Sequence, residues 1–215
     1  MIIGINGQKR SGKDTVAHAI KETHSDQTFI YKFADPIKEG LLIGLAEYGY
    51  SYADIDGQDN FDREVPTFSL DESIEIVLQC CEYANVDADW HYVYYCLLPH
   101  IGLFSIRDLL QMAGTDVARS IDDQHWVNYA RNKYNEMVFN NADLTFIITD
   151  VRFENELNLV YELGGTMLQV NRNGSLASNH ISDTELGHIK TAVQIDNNGS
   201  LEELYEQIDN LTIGE

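Results

Sequence analysis

Nine consecutive residues, Gly7-Gln8-Lys9-Arg10-Ser11-Gly12-Lys13-Asp14-Thr15, have the types and spacing needed to bind a polyphosphate. The pattern is G-x-x-x-x-G-K, set between a short apolar run and a helical one, and that context makes it informative. Gly7 and Gly12 let the backbone curl so that successive N–H groups face one anion. A helix beginning near Gly12 adds the positive end of its dipole, and Lys13 can reach β- and γ-phosphates as a point charge. Lys9 and Arg10 add local positive charge. Where a Ser or Thr hydroxyl ordinarily follows the lysine to hold magnesium, this chain has Asp14, then Thr15. A carboxylate beside a triphosphate is repelled unless a cation lies between them, so Asp14 or Thr15 is expected to hold magnesium, directly or through water.

A second acid, Asp150, closes the β-prone run 144–149. An acid there can serve a metal, although a helix N-cap has the same appearance. Arg152 follows two residues later, and a guanidinium fork matches phosphate oxygens. Arg63, Arg107 and Arg172 are by default surface ion-pair partners. No histidine lies in H-x-x-x-H or H-E-x-x-H spacing, no nucleophile elbow appears, and G-x-G-x-x-G is absent.

The elements that must position these groups follow from periodicity. Residues 1–5 form an apolar run suited to a buried parallel strand. Residues 14–22 are helical, with Val16, Ala19 and Ile20 on one face, and 28–33 form a second strand. From 144 the alternation is plain: a strand at 144–149, a helix at 154–163 stopped by Gly164-Gly165, and strands at 166–170 and 191–195. A last helix is opened by the Ser200/Glu203 capping box. Strand–helix alternation at both ends implies a parallel sheet covered by helices, an α/β fold. The middle reads as helix and loop: Gly114 is placed to end one helix, and the aromatic stretch 90–98 reads as a hairpin arm. The expected organisation is one domain over 1–215, with a core of 1–35 and 142–215 and a helical insertion at about 36–141.

Composition narrows the partners. The chain has 35 acidic residues against 14 basic ones, a formal net charge of -21, which disfavours nucleic-acid polymers and anionic membranes. No run approaches a membrane span, and residues 1–5 do not resemble a signal peptide. Cys80, Cys81 and Cys96 read as reduced thiols, so the expected location is cytoplasmic.

These residues resemble a known family, the deoxynucleoside monophosphate kinases of tailed bacteriophages. The likeness runs through 9–15 with its unusual Asp, 35–38, Arg107 to Asp116, Trp126-Val127, Asp150-x-Arg152-x-x-x-Glu156, 163–166, Arg172, His180-Ile181 and 197–204. It implies a P-loop NTPase fold, three layers α/β/α around a parallel five-stranded sheet, with a largely helical acceptor-binding insertion. It also implies magnesium-dependent transfer from ATP to a deoxynucleoside monophosphate, which would supply DNA precursors, in the host cytoplasm if phage-encoded. On the resemblance Arg10, Ser11, Gly12, Lys13, Asp14 and Thr15 fall at ATP-phosphate positions. Arg172 lies in a lid over ATP, and 197–200, with Asn197, near the adenine. Lys9, Lys38, Arg63, Arg107, Gly114, Thr115, Asp116, Trp126 and Arg152 line or support the monophosphate site, with Trp126 available to stack on a base. Lys13, Arg107, Arg152 and Asp150 carry catalysis, and Asp14, Thr15 and Asp150 the metal. The family favours a homodimer. Its usual Arg shortly before the Trp is replaced by Asp122-Asp123-Gln124. Competing expectations are a P-loop kinase for another small metabolite, such as dephospho-coenzyme A, and a nucleotide switch without turnover; the N-K-x-D segment of a GTP switch is absent.

Overall fold

The computed structural model describes residues 1–8, 10–24, 27–57, 63–174 and 192–211. Lys9, His180 and Ile181, named above, lie outside them, as does residue 191 of the last expected strand. The chain forms two compact units, Met1–Phe33 with Val127–Glu215, and Ala34–Trp126.

The first unit is built on a sheet. Strands β1 (Ile2–Gly7), β2 (Thr28–Tyr31), β3 (Thr145–Ile148), β4 (Thr166–Asn171) and β5 (Val193–Asp196) run in the order β2-β3-β1-β4-β5. Every pairing is parallel, with Ile3 beside Ile147 on one side and Ile5 beside Leu168 on the other. Such a sheet must be covered on both faces, which explains why β1 and β3 are apolar without alternation. Helices α1 (Lys13–His24) and α9 (Leu201–Asp209) cover one face. There Val16, Ile20, Leu204 and Ile208 meet Ile3, Ile5, Ile147 and Leu168, all buried. On the other face lies α8 (Glu154–Glu162), whose Val160 is buried. Beside it runs α7 (His125–Asn140), where Tyr134 sets its ring edge on Phe146 at 5.5 Å between centroids. The result is the expected three-layer α/β arrangement. From Val127 onward α7 belongs to the sheet unit, although residues up to 141 were expected in the insertion.

The second unit is helical: α2 (Asp35–Leu45), α3 (Tyr52–Asp56), α4 (Leu70–Tyr83), α5 (Trp90–Leu97) and α6 (Ile106–Gln111), the last running into a π-helical stretch, Met112–Arg119. Its centre is the α2–α4 contact. A Cβ on Gly40 would lie 2.9 Å from Cys80 Sγ, and one on Gly44 2.8 Å from Ile76 Cα. The spacing of these glycines, one turn apart, is what lets the backbones approach.

Two expectations for this unit are corrected. Residues 90–98 form no hairpin arm but helix α5, because Asp89 caps it by accepting the Tyr92 N–H at 2.8 Å. Trp90 and Tyr94 then stack one turn apart at 5.1 Å. A side-chain cap and i,i+4 pairing outweigh the β preference of aromatics, which depends on context. Nor does Gly114 end a helix; the π-helical turn passes through it. Such turns are rare and recur at functional sites. Among the described residues no helix is long and apolar enough to cross a membrane.

Candidate active site

In a parallel sheet, groups that act on a ligand collect at the carboxyl edge of the strands. β1 ends at Gly7 and leads into the glycine loop, which closes on itself: Ser11 N donates to Gln8 O at 3.1 Å. Arg10 and Gly12 both adopt positive φ, 66° and 93°. Gly12 is required twice over. A side chain there would be strained, and its Cβ would fall 2.1 Å from Asn197 Nδ2. α1 starts at Lys13, so the N–H groups of its first turn and its dipole face the loop. Lys13 Nζ donates to Gly7 O at 2.7 Å and Gln8 O at 3.0 Å, which lays its ammonium across the mouth of the curl. Ser11 is 1% exposed, and its Oγ has no hydrogen-bond partner among the described residues.

Two side chains hold this loop from a distance. Asn197, between β5 and α9, donates Nδ2–H to Ser11 O at 2.7 Å. Asp14, in the first turn of α1, pairs through Oδ1 with Lys32 Nζ at 3.0 Å. Asn197 was expected near the adenine by resemblance, and the structure sets it on the loop backbone instead; Lys32 was not singled out at all.

The end of β3 lies against β1. Val151 N donates to Ile5 O at 3.2 Å, and Asn6 Nδ2 donates to Val151 O at 2.7 Å. Asp150, 9% exposed, accepts the Phe33 N–H on Oδ1 at 2.7 Å. It is not a helix cap, since α8 begins four residues on at Glu154. Buried Glu156 instead reaches back to Arg152 N (2.7 Å) and Phe153 N (3.2 Å), which fixes the backbone that presents Arg152. Arg172, just past β4, is exposed, and its neighbour Asn171 accepts from Asn197 N at 2.9 Å. The sheet unit thus brings together Arg10, Ser11, Gly12, Lys13, Asp14, Thr15 and Asn197, with Asp150 and Arg152 on the adjoining strand end.

The helical unit gathers most of the others. Lys38 is buried and bonds Asp56 Oδ1 at 2.5 Å and Asp35 Oδ1 at 3.3 Å, tying α2 to α3. Tyr52 donates to Asp35 at 3.4 Å, and burial, followed by the charges of Asp35 and Asp56, raises its phenol above the ordinary range. Arg63 donates to Ile55 O (3.1 Å) and Asp56 O (3.2 Å), closing the end of α3. Its own carbonyl accepts Arg107 N at 3.0 Å, and the Arg107 Nε lies 3.9 Å from Glu64 Oε1. Arg107 stands in the first turn of α6, set by the Ser105/Asp108 capping box. Lys38, Arg63 and Arg107 are therefore linked through the end of α3.

Trp126 is 2% exposed and donates its indole N–H to Gly114 O at 2.8 Å. A ring so enclosed has no open face for a base, which corrects the stacking expectation. Its contribution is to hold the π-helical stretch that carries Gly114, Thr115 and Asp116. Burial drives both Cys80 and Cys81 thiols upward, the latter to about 11, so neither is a thiolate nucleophile at neutral pH.

A five-stranded parallel sheet with a strand–glycine loop–helix at its carboxyl edge defines an α/β protein of the P-loop NTPase type, beside a second, helical unit. Over residues 1–97 and 97–208 the chain matches the family described as deoxynucleotide monophosphate kinase. It belongs to that family, and it is a kinase, a transferase. The deoxynucleotide monophosphate kinase of Escherichia phage RB69 is 29% identical to it over 98% of both chains. That of Enterobacteria phage T4 is 27% identical over 97% of both.

Proposed function

We propose that this chain transfers the γ-phosphoryl group of ATP to the 5′-phosphate of a deoxynucleoside monophosphate, in the supply of DNA precursors in a phage-infected cytoplasm. The observation that carries the reading is the loop at the end of β1, with Gly12 at φ 93° and Lys13 opening α1, in a member of this family. The attacking oxygen belongs to a phosphate already anionic near neutral pH, so no strong general base is needed. The work is positioning and neutralisation of charge. Lys13 and the N–H groups of residues 10–15 bind the donor phosphates, aided by Arg10. Arg107 and Arg152 offset charge on the acceptor and the transferring group. Lys38 and Arg63 set the end of α3 from which Arg107 is positioned, and Trp126 supports Gly114, Thr115 and Asp116. Arg172 belongs to the closing lid.

Asp14, Thr15 and Asp150 are hard oxygen donors, which is the donor chemistry that magnesium takes. Among the described residues no cluster of three or more His, Cys, Asp or Glu could hold a metal. Magnesium would accordingly rest on one or two carboxylates and the nucleotide's own oxygens. When bound it would neutralise charge on the β- and γ-phosphates.

The deciding experiment is coupled ADP release with each of the four common deoxynucleoside monophosphates, ribonucleotide controls and no acceptor. Turnover that requires a deoxynucleotide supports the reading. ADP release indifferent to any nucleotide acceptor rejects it.

A further inference from the structure

A helix N-terminus favours an acidic residue in its first turn, and Asp14 would need no more explanation if nothing else anionic bound there. A nucleotide phosphate at the same N-terminus changes the balance, because two anions then compete for one dipole and one set of N–H groups. A hydroxyl at position 14 would create no such conflict. The protein itself supplies the cation that resolves it. Lys32, the residue after β2, emerges at the same carboxyl edge of the sheet and sets Nζ 3.0 Å from Asp14 Oδ1. The side chains are 28% and 64% exposed, so the pair contributes little to stability. Its effect on an anion bound at the same helix N-terminus is another matter, above all in a chain of net charge -21, whose overall field repels nucleotides.

We propose that Lys32 is the counterion that allows a carboxylate to occupy position 14 of the phosphate loop, keeping the loop receptive to nucleotide before any metal arrives. The proposal rests on the ATP reading given above. Lys32 acts through Asp14 and is a positioning residue. Without it the first turn of α1 presents an uncompensated negative charge to the triphosphate. With Asp14 neutralised as well, that penalty vanishes. The two residues must therefore be non-additive in nucleotide binding, as charges in one small network are.

The test is titration calorimetry of the full chain with ATP in EDTA, which reads binding without turnover or metal. Lys32→Met should weaken metal-free binding about tenfold, the order expected for one unit charge near a phosphate at a protein surface. Lys32→Arg should hold near the native affinity. Asp14→Asn should bind ATP within about twofold of the native protein, and the double variant Asp14→Asn/Lys32→Met should match Asp14→Asn within about twofold, since Lys32 then has no carboxylate left to offset. Thermal unfolding of each variant checks that the fold is kept. Lys32→Met binding like the native chain, or losing as much affinity with Asn at position 14 as with Asp, overturns the proposal. Native protein that fails to bind ATP at all overturns the nucleotide reading itself, and this proposal with it.

Discussion

Asn6 and Val151, 145 residues apart, are joined by a buried hydrogen bond of 2.7 Å from the Asn6 amide to the Val151 carbonyl. Asn6 immediately precedes Gly7, and Val151 lies between Asp150 and Arg152. One side chain therefore sets the phosphate loop against the strand end that carries the second acid and an arginine. Asn6→Ala leaves the Val151 carbonyl buried without this donor, at a cost of about 1–3 kcal/mol. Turnover should fall more than ATP affinity, because the donor loop is intact while its partner strand end is loosened. Asn6→Asp should be worse, since it sets a carboxylate against a carbonyl. Chemical denaturation and a kcat-against-KM comparison check both; unchanged kcat in a folded Asn6→Ala protein would remove the coupling role.

Gly12 permits little else. An alanine there takes on the strain of a left-handed backbone, about 1–2 kcal/mol, and also meets Asn197 Nδ2 at 2.1 Å. Gly12→Ala should abolish measurable ATP binding. Pairing it with Asn197→Ala should recover only part, because relief of the clash leaves the φ of 93° unrelieved. Lys13→Ala should abolish transfer while the melting temperature stays close to the native value. Calorimetric ATP titration and thermal melts of the four proteins provide the check, and full recovery in the double variant would show that the backbone is not strained.

What was legible in the sequence was local. A tight turn between strand and helix needs glycine at a fixed place, so the turn at Gly12 could be read directly, and Ser200 and Glu203 announced their capping box. The apolar runs of β1 and β3 marked a sheet covered on both faces. The partners that orient the site lie far away in the chain: Asn6 to Val151, Asn197 to Ser11 and Lys32 to Asp14. No periodicity marks an asparagine that will meet a carbonyl 186 residues away. Stretch 90–98 misled because aromatic content was weighed above the Asp89 cap, and Trp126 because burial is a tertiary property. A buried Asn just before a glycine loop is the signal that could have found Asn6, once β1 was recognised as a central strand.

Trp126 offers a clean separation of support from recognition. Trp126→Phe keeps most of the enclosed ring but leaves the Gly114 carbonyl without the indole N–H, a cost of about 1–3 kcal/mol. Because the ring is 2% exposed, relative preference among the four deoxynucleotides should not change, although KM for all of them should rise together as the π-helical stretch loosens. Urea denaturation gives the first quantity and acceptor kinetics the second. A changed base order in Trp126→Phe would restore the ring to the base pocket.

His125, whose ring stands near-perpendicular to that of Trp126 with centroids 4.7 Å apart, gives the helical unit a pH dependence of definite sign. Burial lowers its pKa from the ordinary 6.5, opposed by the Asp122 charge and by a hydrogen bond with the Ala84 backbone; Nε2 has no partner among the described residues. The unfolded chain therefore binds a proton more readily than the folded one. Its contribution to stability is present above pH 6.5 and is lost as pH falls through the lowered folded value. Asp54 and Glu72, held below the ordinary carboxylate range by capping hydrogen bonds with Ser51 and Ser69, add an acid-side loss of the same sign at lower pH. The two sources separate in His125→Gln, which should flatten the fall in denaturation midpoint that sets in as pH drops below 6.5, while leaving the steeper acid limb in place. An identical midpoint-versus-pH curve for His125→Gln and the native protein would show that the imidazole does not titrate on unfolding.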